Sequence, residues 1–203
     1  MLHHYLFTLL FVSTFACAET RNDFSYVEVA YADAGCCILF GDESYGNGPK
    51  FAASWDFQSR WFVMYSAFSS DGGRDSYTDD LLKYSERALS LGYVFHTSAK
   101  TDWYGRIGGV RVDRPTYVSL YYPLDSFTTQ SEGDGVVAAF GARHRMAKRF
   151  ELSWAAEIMQ GEVDDLRGII NPRLFVSDQF SIGAQFTIGA EIVLFDLNAR
   201  WQF

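Results

Sequence analysis

The sequence predicts an all-β fold: a closed antiparallel up-and-down transmembrane β-barrel of about ten strands, with eight as the alternative count. Three observations carry that expectation. Segments of about ten residues alternate apolar and polar side chains, the two-residue period of a strand with one apolar face, and about 9–11 residues is what a tilted strand needs to cross a bilayer. Connections between these segments alternate short and long over most of the chain. Beyond the amino terminus no apolar run reaches the roughly 18 residues of a membrane helix, so any crossing must be made by strands.

Length and composition suit one such barrel. The chain has 203 residues, of which 17% are aromatic, with 18 Phe, 12 Tyr and 5 Trp. Proline is scarce at 4 and glycine frequent at 17, as strands joined by tight turns require. The net charge of −8 argues against duplex nucleic acid as a partner, which needs clustered Lys and Arg against phosphates. Lysine occurs only at Lys50, Lys83, Lys100 and Lys148. A soluble β domain blunts its exterior with lysine, so this scarcity favours a lipid-facing exterior.

Residues 1–18 read as a cleaved export signal, leaving 19–203 as a single barrel domain. Tyr5 to Phe15 is the apolar core, and Ala16-Cys17-Ala18 fits the small-x-small cleavage pattern. The first residues depart from that pattern, with His3 and His4 but no Lys or Arg. Phe15 beside Ala16 makes a poor lipoprotein signal at Cys17.

The strands are expected in this order. The first covers Phe24 to Ala32, with Val27, Val29 and Tyr31 opposite Tyr26, Glu28 and Ala30. A loop over 33–49 holds Cys36, Cys37 and the turn-rich stretch Tyr45 to Pro49. The second strand, Lys50 to Phe57, alternates Phe51, Ala53, Trp55 and Phe57 against Lys50, Ala52, Ser54 and Asp56. A short turn enters the third, Trp61 to Ser69, which is apolar on both faces and has no assignable orientation. A long acidic loop follows over 70–85. The fourth, Glu86 to Phe95, puts Leu89, Leu91, Tyr93 and Phe95 against Ala88, Ser90, Gly92 and Val94. The fifth is Asp102 to Val112, with Trp103 and Ile107 opposite Tyr104, Arg106, Gly108 and Val110. The longest loop, 113–134, is rich in Tyr, Ser and Thr. The sixth and seventh strands are Gly135 to Arg145 and Phe150 to Gln160. A short acidic loop over 161–167 precedes the eighth, Gly168 to Val176, where Pro172 cannot donate to a ladder and predicts either a bulge or a different course for this strand. The ninth is Gln179 to Ile188, and a tight connection leads to the last.

That last strand is the clearest. Phe195, Leu197, Ala199, Trp201 and Phe203 point one way and Asp196, Asn198, Arg200 and Gln202 the other. Alternation alone does not say which face is outside, because a soluble barrel with an apolar interior alternates equally well. Composition decides. The apolar face carries aromatics near strand ends, Phe57, Trp103, Phe150 and Trp201, as interfacial girdles do. The other face is small residues with isolated charges of both signs: Glu28, Asp56, Arg106, Arg143, Glu151, Glu157, Arg173 and Arg200. Such a face makes poor solvent-exposed surface and a good narrow lumen, where opposite charges pair. A closed barrel also pairs every backbone group, as lipid demands.

On the alternating run Leu197 to Phe203 and the early Tyr26-Val27-Glu28, the mature chain resembles the outer-membrane β-barrel domain family, the small OmpA/OmpX-like bacterial barrels, over residues 24–203. The resemblance implies location in the cell outer membrane and contact with its lipids and lipopolysaccharide. It implies an assembly signal at Leu197, Ala199, Trp201 and Phe203, read by the barrel-assembly machinery. It implies a structural or surface-interaction role with no single activity.

No catalytic, cofactor or metal site is expected. Outer-membrane proteases use paired acids and an Asp-x-His arrangement; His96 and His144 have no Asp two residues before them and fall near short turns. Asp79-Asp80 and Asp164-Asp165 are paired loop carboxylates, read first as solvated and secondly as a cation bridge to lipopolysaccharide phosphates. Cys36 and Cys37 are adjacent in an exported chain and read as free or variably oxidised thiols, with a strained vicinal disulfide as the alternative. Gly105, Gly108 and Gly109 are read as room for bending and for a crowded lumen. The expected function is a monomeric barrel, its lumen plugged by side chains, that meets partners through loops 33–49, 70–85 and 113–134. Tyr117, Tyr121 and Tyr122 lie in the last of these. A narrow pore for small solutes is the alternative, and a secreted ligand-binding barrel a further one.

Overall fold

The computed structural model describes residues 24–35, 44–58, 60–74, 81–121, 125–190 and 192–203. The expected export signal, Cys36 and Cys37, Asp79-Asp80 and Tyr122 lie outside these residues. Strands β1 (Tyr26–Gly35), β2 (Ser44–Phe57) and β3 (Trp61–Ser69) come first. Two short segments, β4 (Gly73–Arg74) and β5 (Leu81–Leu82), pair with each other as a separate ribbon. Then follow β6 (Ser85–Thr97), β7 (Thr101–Tyr121), β8 (Asp125–Ala147), β9 (Phe150–Gly161), β10 (Asp165–Phe175), β11 (Phe180–Gly189) and β12 (Val193–Gln202). The ten long strands pair antiparallel, neighbour to neighbour, and β12 closes on β1 from Tyr26↔Gln202 to Gly35↔Val193. The eight-strand alternative is thereby excluded. Among the described residues no helix is long and apolar enough to cross a membrane.

The start of β1 and the end of β12 lie at one end, here the basal end, with the short turns after β2, β6, β8 and β10. The opposite, distal end carries the two longest connections, 36–43 and 70–84, while those after β7, β9 and β11 are as short as the basal turns. Side chains alternate as the strands require, and the apolar set points out. Leu89, Ile107, Leu166 and Leu197 are 58%, 60%, 65% and 61% exposed, on strands whose inward neighbours Ala88, Arg167 and Asn198 are buried. This inverts the polarity of a soluble barrel. The third strand now has an orientation: Trp61, Val63 and Tyr65 face out, while Phe62, Met64 and Phe68 face in. Its inward apolar residues belong to two clusters that fill the lumen's ends, which is why its sequence lacks alternation.

The loops are shorter than expected and the strands longer. Loop 33–49 is cut from both sides, because β1 runs to Gly35 and β2 starts at Ser44. Loop 113–134 is mostly strand: β7 and β8 pair from Thr101↔His144 to Tyr121↔Asp125. Above Asp113 the partner strand β6 has ended, so this hairpin extends beyond the barrel wall. At about 3.3 Å per residue it rises some 25 Å past Asp113. The absence of alternation there is physical: beyond the apolar wall of the barrel neither face of a strand needs to be apolar. Tyr117 and Tyr121 lie on β7 within this hairpin. The exposed pair Arg111–Asp134, joined by two hydrogen bonds of 2.7 and 2.8 Å, sits at its root. Those bonds hold the Asp134 carboxyl below the ordinary carboxylate range.

Three further expectations are corrected. Phe24 precedes β1 and turns into the lumen instead of starting the strand. Strand β10 begins at Asp165, so the acidic loop over 161–167 is shorter and Asp165 is a buried lumen residue. No bulge occurs at Pro172. The β9–β10 register runs through it without a shift, Pro172↔Leu152, and β10–β11 keeps one register on either side, at Ile170↔Phe186 and Arg173↔Gly183. The missing proline donor is met by a lapse in pairing with β11 between those pairs, bridged inside by the Asn171 amide donating to Gln185 at 3.2 Å.

The glycines of β7 divide by face. A Cβ on Gly108 would meet the backbone carbonyl of Leu89 and the Cα of Ser90 on the adjacent strand. A Cβ on Gly109, which faces out, would meet nothing within 4 Å. Gly108→Ala is therefore expected to destabilise the folded barrel by about 1–3 kcal/mol, the range for overpacking, while Gly109→Ala stays near wild type. Urea titration of the two variants in detergent checks this, and equal midpoints would contradict it.

Candidate functional site

The lumen is the site where this chain concentrates its chemistry. All eight charges expected there point into the lumen or its basal mouth: Glu28, Arg143, Glu151, Glu157, Arg173 and Arg200 are buried, and Asp56 and Arg106 are half-buried. They are brought together by the pairing of distant strands. Glu28 on β1 accepts from Arg173 on β10 at 2.5 Å and from Arg200 on β12 at 2.9 Å. Arg173 also donates to Asn198 at 2.8 Å, and Asn198 donates to Asp196 at 2.8 Å. Arg143 pairs with Glu151 at 3.3 Å, and Arg106 with Glu157. Asp56 behaves differently. Its carboxylate accepts the Phe24 N–H at 2.9 Å while its own N–H donates to Ser25 Oγ at 3.0 Å, so it ties the segment before β1 to the end of β2.

A second network, nearer the distal end, was not singled out from sequence. Arg167 donates to Glu86 at 2.6 Å and to Asp165 at 2.7 Å, and Tyr84 donates to Glu86 at 2.7 Å. Asp165 also accepts the Ala190 N–H at 2.9 Å and so anchors the last hairpin. Lys50 donates to Asp196 at 2.6 Å, and Arg167, 3.9 Å from Glu157, brings this network up to the first. Lys50 and Asp196 were legible by parity, since each lies on the polar face of a predicted strand. Asp165 and Arg167 were hidden by placing their segment in a loop. The run Arg167, Ile169, Asn171, Arg173 shows the same parity extending backward.

Apolar side chains close the charged layer from both sides. At the distal end Tyr45, Phe68, Tyr84, Val112, Met159 and Ile192 belong to one buried cluster. At the basal end Phe24, Phe62 and Val94 form another, with Met64 and Tyr104 against it. Phe24 stacks on Phe62 at 4.6 Å and lies under the Arg143 guanidinium at 4.6 Å. Arg200 over Tyr26 at 3.9 Å and Arg145 over Phe175 at 4.7 Å complete the floor. Between the clusters is a cavity of about 140 Å³, lined by Glu28, Lys50, Glu86, Arg106, Glu157 and Arg200 among others. That is room for a few waters.

The four residues of the expected assembly signal lie on the closing strand and just past it. Leu197, Ala199 and Trp201 face out, paired with Tyr31, Val29 and Val27. Phe203 follows the strand end, its N–H donating to Ser25 O at 3.3 Å and its ring 5.7 Å from Trp55. His96 is exposed near the basal turns, and His144 Nδ1 is 2.6 Å from Thr101 Oγ1. Among the described residues no group of three His, Cys, Asp or Glu is placed to hold a metal ion.

No family model matches the sequence, and no curated protein is similar to it. Solved structures with a similar strand layout include Ail, the attachment invasion locus protein of Yersinia pestis, at 13% identity and a TM-score of 0.48 over 90% of this chain and 100% of that one. The outer membrane protease OmpT from Escherichia coli is 10% identical with a TM-score of 0.48, over 94% of this chain and 100% of that one. The N-terminal β-barrel domain of Pseudomonas aeruginosa OprF is 9% identical with a TM-score of 0.47, over 90% and 100%.

Proposed function

We propose that the protein is an integral barrel of the bacterial outer membrane with a structural or surface-interaction role, such as adhesion or envelope integrity. The observation that carries this reading is the inverted polarity: an apolar exterior around a charged lumen closed by apolar clusters at both ends. In water such an exterior would be a single large aggregation surface. In lipid it is the expected state. The even strand number puts the start of β1 and the end of β12 on one side, which this reading takes as periplasmic, so the β7–β8 hairpin faces outward and offers the surface for a partner. Lipopolysaccharide surrounds the distal rim in this arrangement, and the barrel acts as a monomer. The exported chain reaches the barrel-assembly machinery, which recognises the outward residues Leu197, Ala199 and Trp201 together with Phe203.

Gel mobility tests the reading. Mature protein from isolated outer membranes should migrate faster unboiled than boiled, because a closed barrel resists SDS until heated. A variant lacking Phe203 should show a smaller folded fraction. A protein recovered from the soluble fraction with no shift would overturn the membrane assignment. Reconstitution in planar bilayers tests the plugged lumen: large, stable single-channel conductance would favour the pore instead.

A further inference from the structure

The basal rim carries an arc of exposed cations. Arg60 lies in the β2–β3 turn, Lys100 in the β6–β7 turn, and Lys148 and Arg149 in the β8–β9 turn, all exposed. Strands β2, β3, β6, β7, β8 and β9 are consecutive around the barrel, so these three turns are neighbours. The next basal turn, between β10 and β11, carries Asp178 and no cation. The opposite rim is predominantly acidic, with Asp33, Asp71, Glu132, Glu162 and Asp164 exposed. In a chain of net charge −8, a basic arc confined to one end is a local arrangement rather than a compositional average. Among the described residues none of the four cations forms a salt bridge.

A second feature coincides with it. The outward wall above the same turns is rich in packed aromatic rings. Trp61 lies 4.8 Å from Tyr93, Phe95 stacks on Phe140 at 5.6 Å, and Trp103 meets Trp154 edge-on at 5.6 Å. These pairs join β3 to β6, β6 to β8 and β7 to β9. Aromatic rings settle at the headgroup level of a bilayer. The cations of the arc lie just beyond that level, where phosphate groups lie. Basic groups beside an anionic leaflet bind its lipids, with a strength that falls as salt screens them.

We propose that this arc is a binding site for anionic phospholipid headgroups in the periplasmic leaflet, and that it favours a phosphatidylglycerol-like lipid over a zwitterionic one. The inference rests on the membrane reading above and deepens it by naming the lipid and the residues. Charge complementarity supplies the phosphate contacts, and continuity with the aromatic wall selects a lipid over a soluble polyanion.

The test reconstitutes the mature barrel into vesicles of equimolar phosphatidylcholine and phosphatidylglycerol, extracts it in mild detergent and measures the lipids that remain bound. Wild type should retain phosphatidylglycerol several-fold over its share in the vesicle, less so when extracted in high salt. A variant carrying R60Q, K100Q, K148Q and R149Q should lose that enrichment while keeping its heat-dependent gel shift. R111Q, at the other rim, serves as the charge control and should keep it. Equal enrichment by wild type and the fourfold variant, or none by wild type, overturns the site. Loss of binding to isolated peptidoglycan in the fourfold variant, with lipid retention unchanged, overturns it in favour of a wall polymer. A wild-type chain that gives no heat-shifted band fails the membrane reading itself, a separate readout. Should the fourfold variant fail to fold, the salt dependence of wild-type enrichment decides alone.

Discussion

Glu28→Ala is expected to cost about 3–5 kcal/mol of barrel stability, the range for removing one partner of a buried ion pair. Glu28 is the single carboxylate to which two buried guanidiniums, Arg173 and Arg200, both donate, with side chains 1% and 9% exposed. Without it two like charges face each other in the lumen. Arg173 would keep Asn198 and Ser181 as neutral acceptors, and Arg200 the face of Tyr26. None of these balances a charge. The loss should be strongly non-additive. Combining E28A with R173M removes one of the stranded cations and replaces it with a side chain of similar length, so the double variant should be more stable than E28A alone. Urea unfolding in detergent, followed by tryptophan fluorescence, gives both numbers. A cost below about 1 kcal/mol for E28A would mean that the lumen is wet enough to solvate the two cations, and the sealed-lumen account would fail with it.

Why that glutamate was legible from sequence while Asp165 was not is a question of what a strand must satisfy. In the membrane arrangement proposed above, each strand inside the bilayer answers to two environments at once, lipid on one face and a narrow lumen on the other. Alternation is then forced, and Glu28, Arg143, Glu151, Glu157, Arg173 and Arg200 can be placed by parity alone. Two situations break the rule. At the ends of the lumen the inner face is apolar too, so β3 shows no alternation and Phe62 and Phe68 could not be oriented. Above the bilayer the outer face is wet, so the upper halves of β7 and β8 read as a polar loop. Pairing partners were beyond reach in either case. That Glu28 meets Arg173 depends on the closure of β12 on β1 and on the stagger between strands, which no local pattern encodes. Phe24 was misread for a related reason: an aromatic residue before an alternating run resembles a strand start, and its inward turn is fixed by Asp56 and Ser25, contacts of long sequence separation.

Ile107→Arg carries the second large expected effect, and it tests the exterior rather than the lumen. Ile107 is 60% exposed on the outer face of β7, in register with Leu91 and Ala138, with no charged residue beside it on that face. An arginine at mid-bilayer depth costs a transmembrane barrel about 2–4 kcal/mol, falling toward zero near the interfaces. Two positions further along the same face, Gly109 stands in open space, and two beyond that comes Arg111, already charged and paired with Asp134. One strand therefore provides its own depth series. In lipid vesicles I107R should lose about 2–4 kcal/mol, G109R less, and R111Q almost nothing. The alternative environment predicts the reverse order of sense: on a water-facing surface, replacing an exposed isoleucine with arginine is neutral or favourable, and I107R would be as stable as wild type and more soluble. The gradient along β7, measured by urea unfolding at constant vesicle composition, thus separates a lipid-facing wall from a solvated one through the exterior alone. A flat series would require the apolar face of this barrel to be covered by something other than a bilayer.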